Sequence, residues 1–138
     1  MHLIIGGRHM GKLEYARSLY GDAPVCDLSE EALESFEDKI LAARIIVNLQ
    51  DGMRRLLKKE KEYEKREMKT PARDFFISLL HQMKDKVLIG DEIGSGIVPL
   101  DPFERFWRDE TGFLYQTLAA RADLVDRVWA GIPCRLKG

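Results

Sequence analysis

Short runs of aliphatic residues alternate with longer amphipathic stretches along the chain. Such runs are typical of buried β-strands, and they predict strands at Leu3–Ile5, Pro24–Leu28, Arg44–Leu49, Lys86–Asp91 and Leu124–Ala130. The alternation of strands with helices predicts an α/β fold, a three-layer sandwich around a mostly parallel central sheet.

The stretches between these runs predict helices. One helix follows the first strand and ends near Tyr20, and a second spans Ser29–Ala43 with Ser29 as its N-cap. Further helices are predicted at Met53–Lys69, from Pro71 onward, and at Pro102–Ala122.

Two segments predict irregular backbone, and one predicts a solvated helix. Glycine and proline in Glu92–Asp101 predict a loop, and Gly131–Pro133 is predicted to turn the chain. Met53–Lys69 carries dense charge of both signs, which is typical of a solvated helix rather than of a basic binding patch.

Size and charge narrow the classes of function. The 138 residues fit a single domain over 1–138, and 22 basic against 23 acidic residues give a net charge of −1. A near-neutral chain gives no argument for a nucleic-acid partner or an anionic membrane. The first apolar run is too short for a signal peptide, and no run approaches a membrane span, so we expect a cytoplasmic protein.

The two cysteines, Cys26 and Cys134, lie far apart and form no metal-binding spacing. Reduced thiols are therefore expected, with no disulfide framework and no zinc site.

The glycine-rich segment GGRHMGK fits the phosphate-binding pattern G-x-x-x-x-G-K between a strand and a helix. Its glycines let backbone N–H groups form an anion-binding nest, and Lys12 would reach the β- and γ-phosphates. The next position usually carries a hydroxyl that binds Mg²⁺, and Leu13 cannot coordinate a metal. The candidate nucleotide-binding residues are Gly6, Gly7, Arg8, His9, Met10, Gly11, Lys12 and Leu13. The alternative, a glycine-rich turn with an incidental lysine, stays open at this point.

Three segments directly follow predicted strands: Gly6–Lys12, Asn48–Asp51 and Asp91–Gly96. Because ligands of such sheets bind beyond the carboxyl ends of the strands, we expect the three segments to converge at one edge.

The C-terminal third reads VLIGDEIGSGIVPLDPFERFWRDETGFLYQTLAARADLVDRVWAGIPCRLKG. It resembles the end of the adenosylcobinamide kinase/adenosylcobinamide-phosphate guanylyltransferase family. That family shows a strand ending in Asn-Glu, then V-G-x-G-I-V-P, a helix with F-R-D-x-x-G-R-x-N-Q-x-L-A, and A-G-I-P-x-x-L-K. The corresponding segments here are Asp91-Glu92, Ile93–Pro99, Phe106–Ala119 and Ala130–Lys137, and GGRHMGK is similar to the family's GGARSGKS.

This resemblance implies a P-loop kinase fold, often assembled as a trimer, that works in cobalamin biosynthesis. It implies phosphorylation of the aminopropanol hydroxyl of a corrinoid with ATP or GTP, followed by GMP transfer through a guanylylated histidine. The implied partners are a nucleotide, a corrinoid substrate and further copies of the chain.

The chain departs from the family pattern at several positions. The family's guanylylated histidine lies between the second and third strands, where Ser29–Ala43 contains none, and the histidines present are His2, His9 and His81. Guanylyl transfer is therefore predicted to be absent. The family's acidic residue at the end of the third strand corresponds to Val47 or Asn48, and Phe113 and Tyr115 stand where Arg and Asn are usual.

The candidate catalytic residues are Lys12, Asp91 and Glu92. One acid could hold Mg²⁺ through water while the other accepts the proton of the substrate hydroxyl. For Asp91 the alternative is a cap on the following glycine-rich turn.

Phe103, Phe106 and Trp107 could form an apolar wall for a corrinoid, although helical spacing is more typical of core or subunit interface. Two functions follow from the sequence: a nucleotide-binding, kinase-like protein without guanylyl transfer, or a non-catalytic relative with a regulatory or assembly role.

Overall fold

The strands form one sheet in the computed structural model, which describes residues 1–63, 71–94 and 96–138. Within those residues the strands are β1 (His2–Gly6), β2 (Val25–Asp27), β3 (Ile45–Val47), β4 (Val87–Asp91), β5 (Leu124–Trp129) and β6 (Ile132–Lys137). Their order is β2-β3-β4-β1-β5-β6, with β1 to β5 parallel and β6 antiparallel to β5. This confirms the predicted α/β fold with a mostly parallel sheet.

Helices cover both faces of the sheet. They are α1 (Lys12–Tyr20), α2 (Phe36–Ala42), α3 (Leu49–Tyr63), α4 (Pro71–Ser78) and α5 (Pro102–Arg121). Side chains of α1 pack in one apolar cluster with Ile4 and Ile89, whereas α2 to α5 contribute to a second cluster with Leu3 and Leu88. Successive residues of a strand point to opposite faces of the sheet, so β1 and β4 each contribute residues to both clusters. The result is the predicted three-layer sandwich.

The helix predicted over Ser29–Ala43 begins later than expected. In the structure α2 begins at Phe36, after a short 3₁₀ turn at Leu33–Ser35. The Ser29 N–H and hydroxyl both donate to Asp27 Oδ1, at 2.9 and 2.7 Å. Ser29 therefore belongs to a turn closed by the preceding carboxylate, and its assignment as the N-cap is wrong.

The prediction also missed the last strand. Ala130 and Gly131, with φ of 49° and 76°, form a two-residue turn, and Trp129 pairs with Ile132. The turn predicted over Gly131–Pro133 is thus misplaced, since Ile132 and Pro133 belong to β6. All six residues of β6 are exposed, so this strand lacks the buried aliphatic run on which the other strand predictions depended.

Two further predictions differ in their boundaries. The strand expected over Arg44–Leu49 shortens to β3, because Asn48 adopts a left-handed φ of 62° and α3 begins at Leu49. The charged helix expected over Met53–Lys69 is present as α3 up to Tyr63, and residues 64–70 lie outside the described part of the chain. No helix among the described residues combines the length and apolar composition of a membrane span.

Candidate functional site

The structure brings the three predicted segments together at the carboxyl edge of the sheet. Asp91, the last residue of β4, lies 2.8 Å from the Lys12 ammonium through its Oδ1. Gln50, in the first turn of α3, accepts the Asp91 N–H through Oε1 at 2.8 Å. The glycine-rich loop, the start of α3 and the end of β4 therefore form one site.

The loop between β1 and α1 has the backbone of a tight turn. His9 and Gly11 have positive φ angles of 59° and 93°. A Cβ on Gly6 would collide with the Val128 carbonyl oxygen of β5, so only glycine fits there. Among the residues that the structure describes, the N–H groups of residues 7 to 11 donate no hydrogen bond. They are thus available to an anion at the N-terminus of α1.

Lys12 is buried beneath this loop, with 7% of its surface exposed. Its ammonium donates to the Gly7 carbonyl at 2.6 Å and pairs with Asp91. The cation is therefore held between the loop and the adjacent strand.

A second carboxylate lies close to Asp91. Burial and the neighbouring charge of Asp91 raise the pKa of Asp51, while Arg8 in the loop opposes this shift. No group of three His, Cys, Asp or Glu side chains suited to a metal occurs among the described residues.

Leu13 takes no part in this polar region. Its side chain packs against the apolar cluster between α1 and the sheet. The position that would carry a metal-binding hydroxyl instead contributes to the core.

Glu92 is paired through its carboxylate with an arginine of β5. Both of its carboxylate oxygens accept hydrogen bonds from Arg127 of β5, at 2.6 and 3.0 Å, while its N–H donates to the Gly6 carbonyl at 2.8 Å. Of the two acids predicted to face the phosphate loop, the structure brings Asp91 to Lys12 and pairs Glu92 with Arg127.

Gln50 and Tyr115 complete the surroundings of Asp91; the sequence marked Tyr115 only as a departure from a familiar pattern, and it did not single out Gln50. The Tyr115 hydroxyl donates to the Asp91 carbonyl at 2.8 Å, and the Gln50 carbonyl accepts the Trp107 indole N–H at 2.8 Å. Burial, and then the charges of Asp91 and Asp51, raise the pKa of Tyr115 well above its usual range, so it stays a neutral donor. The available signals were that Gln50 lies within the strand-end segment Asn48–Asp51 and that Tyr115 is one of the positions at which the chain departs from the resembled pattern.

The aromatic residues of α5 join that helix to α3. Phe103, Phe106 and Trp107 are partly buried against the main core cluster. The Arg54 guanidinium lies over the Phe103 and Trp107 rings, 5.5 and 4.9 Å from their centroids. These contacts favour the interpretation of the three residues as a contact between helices.

The loop after β4 is held by two arginines of α5. Arg105 donates to the carbonyls of Pro99 and Leu100, and Arg108 donates to that of Ile97. An open cleft lies between this loop and the helix, lined by Gly94, Val98, Pro99, Arg105, Arg108 and Asp109.

The three histidines lie in unrelated places. His9 is exposed in the glycine-rich loop, and His81 is exposed in a 3₁₀ turn. His2 is buried, and its ring nitrogens contact Asp126 at 2.7 Å and Tyr20 at 2.8 Å. The segment between β2 and β3 contains no histidine.

Comparison with known proteins gives a family match and one curated relative. The model of the family described as cobinamide kinase / cobinamide phosphate guanyltransferase (CobU) matches residues 30–136, a range that leaves out the glycine-rich loop. The bifunctional adenosylcobalamin biosynthesis protein CobP of Pseudomonas aeruginosa is 42% identical over 52 residues, which are 38% of this chain and 30% of that protein. The aligned stretch thus spans less than a third of this relative.

Proposed function

The chain belongs to the cobinamide kinase / cobinamide phosphate guanyltransferase family, and from this premise we propose that it binds ATP or GTP at Gly6–Lys12 but does not transfer GMP. The observation that carries the proposal is the buried Lys12 ammonium, held beneath a glycine-rich loop and 2.8 Å from Asp91. This places a cation, backbone donors and a carboxylate around one point at the edge of the sheet.

The binding chemistry follows from these groups. The N–H groups of the loop and the positive end of α1 attract phosphate oxygens. A bound phosphate would take the place of the Gly7 carbonyl on Lys12, and a charged acceptor makes the stronger hydrogen bond.

The residues present fit a Mg²⁺ ion that arrives with the nucleotide. Mg²⁺ in such sites commonly takes one or two carboxylates, with phosphate oxygens and water as the remaining ligands. Asp91 and Asp51 would hold it, and its charge would favour the ionised form of Asp51, whose pKa is raised by burial and then by the charge of Asp91. When bound, Mg²⁺ neutralises charge on the transferring phosphoryl group.

Of the predicted catalytic residues, we retain Lys12 and Asp91 in the proposed site. Glu92 would have to leave Arg127 before it could accept a proton from a substrate hydroxyl. We propose a corrinoid as the second substrate, placed at the cleft beside Arg105 and Arg108. Assembly as a homo-oligomer, a trimer by family resemblance, completes the proposal.

Nucleotide binding is tested by calorimetry with ATP and GTP. We expect Lys12→Ala to weaken binding at least about tenfold, because a hydrogen bond to a charged group contributes about 1.5–3 kcal/mol. Lys39→Ala removes an exposed lysine of α2 and should leave the affinity unchanged. Wild-type protein that binds neither nucleotide at millimolar concentration would contradict the proposal.

A non-catalytic role is the second candidate. It is favoured by the packing of the partly buried Leu13 against the apolar cluster beneath α1 and by the pairing of Glu92 with Arg127. Transfer of labelled phosphate from ATP to cobinamide in the presence of Mg²⁺ separates the two, since a protein that only binds nucleotide yields no phosphorylated product.

A further inference from the structure

Trp129 is a large exposed aromatic side chain beside the glycine-rich loop. It ends β5 and is 62% exposed, whereas the chain's other tryptophan, Trp107, is partly buried with its indole N–H bonded. Isolated exposed apolar residues are ordinary on protein surfaces. The position and the anchoring of Trp129 are what set it apart.

The ring belongs to the hairpin that supports the loop. Val128 pairs with Gly6, so Trp129 follows the point where β1 becomes the loop. The next two residues of the hairpin turn contact Met10: Gly131 N–H donates to its carbonyl at 2.8 Å, and Ala130 N–H approaches its sulfur at 3.3 Å.

The positions of Lys12 and Asp91 in the sheet indicate how a nucleotide bound at the loop would be oriented. Lys12 and Asp91 lie on the β4 side of β1, and β5 lies on the opposite side. With terminal phosphates at Lys12 and Asp91, a nucleotide that crosses the loop carries its base toward β5. Two strand spacings, about 10 Å, separate β4 from β5, which is a distance that a nucleoside triphosphate spans.

Neighbouring charges hold the ring in place. The Arg127 guanidinium lies over the Trp129 ring, 5.5 Å from its centroid, and is fixed by both oxygens of Glu92. Glu92 is itself bonded to the Gly6 carbonyl through its N–H. One face of the indole is thus occupied by Arg127, which leaves the opposite face for a planar ligand.

We propose that Trp129 is the stacking surface for the base of the bound nucleotide, with Arg127 and Glu92 as positioning residues for its ring. The inference rests on the proposed nucleotide binding at Gly6–Lys12. Because every base presents a π-face, stacking of this kind accepts adenine and guanine alike. It also gives Glu92 a role in nucleotide binding through its pairing with Arg127.

The test measures the contribution of the base to binding separately from that of the phosphates. Wild type, Trp129→Ala and Trp129→Phe are titrated calorimetrically with ATP, with GTP and with inorganic tripolyphosphate. We expect Trp129→Ala to weaken both nucleotides at least about fivefold, the lower end of base–aromatic stacking, and to leave tripolyphosphate affinity unchanged. Trp129→Phe should retain most of the nucleotide affinity, since it keeps an aromatic face.

Leu136→Ala serves as the matched control, because Leu136 is an exposed apolar residue of the same hairpin, away from the loop. Its nucleotide affinity should equal that of the wild type. Sedimentation of each variant reports whether the substitution changes the assembly of the chain.

The outcomes distinguish the two proposals. If the wild type binds no nucleotide, the proposed function and the stacking role both fail. If Trp129→Ala binds ATP as tightly as wild type, the stacking role alone is overturned. If Trp129→Ala keeps the wild-type nucleotide affinity but changes the sedimenting mass, Trp129 belongs to an interface between copies of the chain. That result also overturns the stacking role.

Discussion

Asp91 is the residue whose surroundings are most completely specified in the site. Its carboxylate pairs with Lys12, its N–H donates to Gln50 and its carbonyl accepts from Tyr115. Hydrogen bonds and an ion pair that converge on one residue restrain the groups they join. The position of this carboxylate at Lys12 therefore depends on two residues that contact only its backbone.

The Tyr115 hydroxyl is the member of this network that a single substitution removes most cleanly. Tyr115→Phe keeps the ring but leaves the Asp91 carbonyl without its donor, so we expect a loss of about 1–3 kcal/mol in the free energy of unfolding. Urea unfolding measures it. Gln116→Ala, at an exposed position of the same helix, should change the free energy by less than about 0.5 kcal/mol. Equal stability of Tyr115→Phe and wild type would show that this hydrogen bond contributes nothing net.

Sequence reasoning found Lys12 and Asp91 because both lie at places that local patterns mark, a loop after one strand and the end of another. Gln50 and Tyr115 act through the backbone of a residue that is distant in the chain, and no local pattern encodes such a contact. The pairing of Glu92 with Arg127 was missed for the same reason, since it depends on which side chains of neighbouring strands meet.

At the scale of elements, α1 is fastened to the sheet by a buried polar cluster centred on Asp126 of β5. Tyr15 of α1 donates to Asp126 at 2.8 Å, and His2 and Arg135 contact the same carboxylate. Burial raises the pKa of Asp126, but the hydrogen bonds from Arg135, Tyr15 and His2 outweigh it and leave the pKa below its usual value. Helix α1 is thus held to the sheet by the hydrogen bonds of Tyr15 and Tyr20 with this cluster as well as by apolar packing.

This cluster makes stability depend on pH. Burial of the ring lowers the pKa of His2 below 6.5, and contact with Asp126 only partly offsets this. The unfolded chain then takes up a proton on His2 more readily than the folded one, so stability falls as the pH drops below about 6.5. We expect wild type to lose more unfolding free energy between pH 7.5 and 5.5 than His2→Gln, whatever their difference at pH 7.5. Parallel losses in urea unfolding at both pH values would contradict this assignment.

The strand predictions succeeded where the residues of a strand are buried and therefore aliphatic. β1, β3 and β4 carry continuous aliphatic runs, β5 carries aliphatic residues on either side of two charged residues, and all four were placed within a few residues. β6 has six exposed residues, and its existence depends on pairing across the turn at Ala130 and Gly131. The start of α2 depended on whether Ser29 would cap a helix or bond to Asp27, and the sequence allows both.

For the whole molecule, the family match and the candidate site overlap only in part. The match covers residues 30–136, which include Asp51 and Asp91 but not Gly6–Lys12. The nucleotide-binding proposal therefore depends on the geometry that joins Lys12 to the matched part of the chain.

The placement of the histidines predicts the outcome of a labelling experiment. His2 is buried against Asp126, and residues between β2 and β3 include no histidine. After incubation with labelled GTP and Mg²⁺, we expect no acid-labile GMP on the protein. An adduct would contradict the prediction, and its loss in His9→Ala or His81→Ala would then locate it on one of the two exposed rings.

The contacts between Met10 and the turn of the β5–β6 hairpin join residues 120 positions apart in the chain. The glycine-rich loop is synthesised early, yet the strand against which Gly6 packs and the turn that holds Met10 come late. Contacts of such long sequence separation form late and slow folding. A nascent chain, or one cut before β6, would therefore carry the glycine-rich sequence without the surface that shapes it, and the proposed phosphate-binding loop would form only when Met10 meets the turn at Ala130 and Gly131.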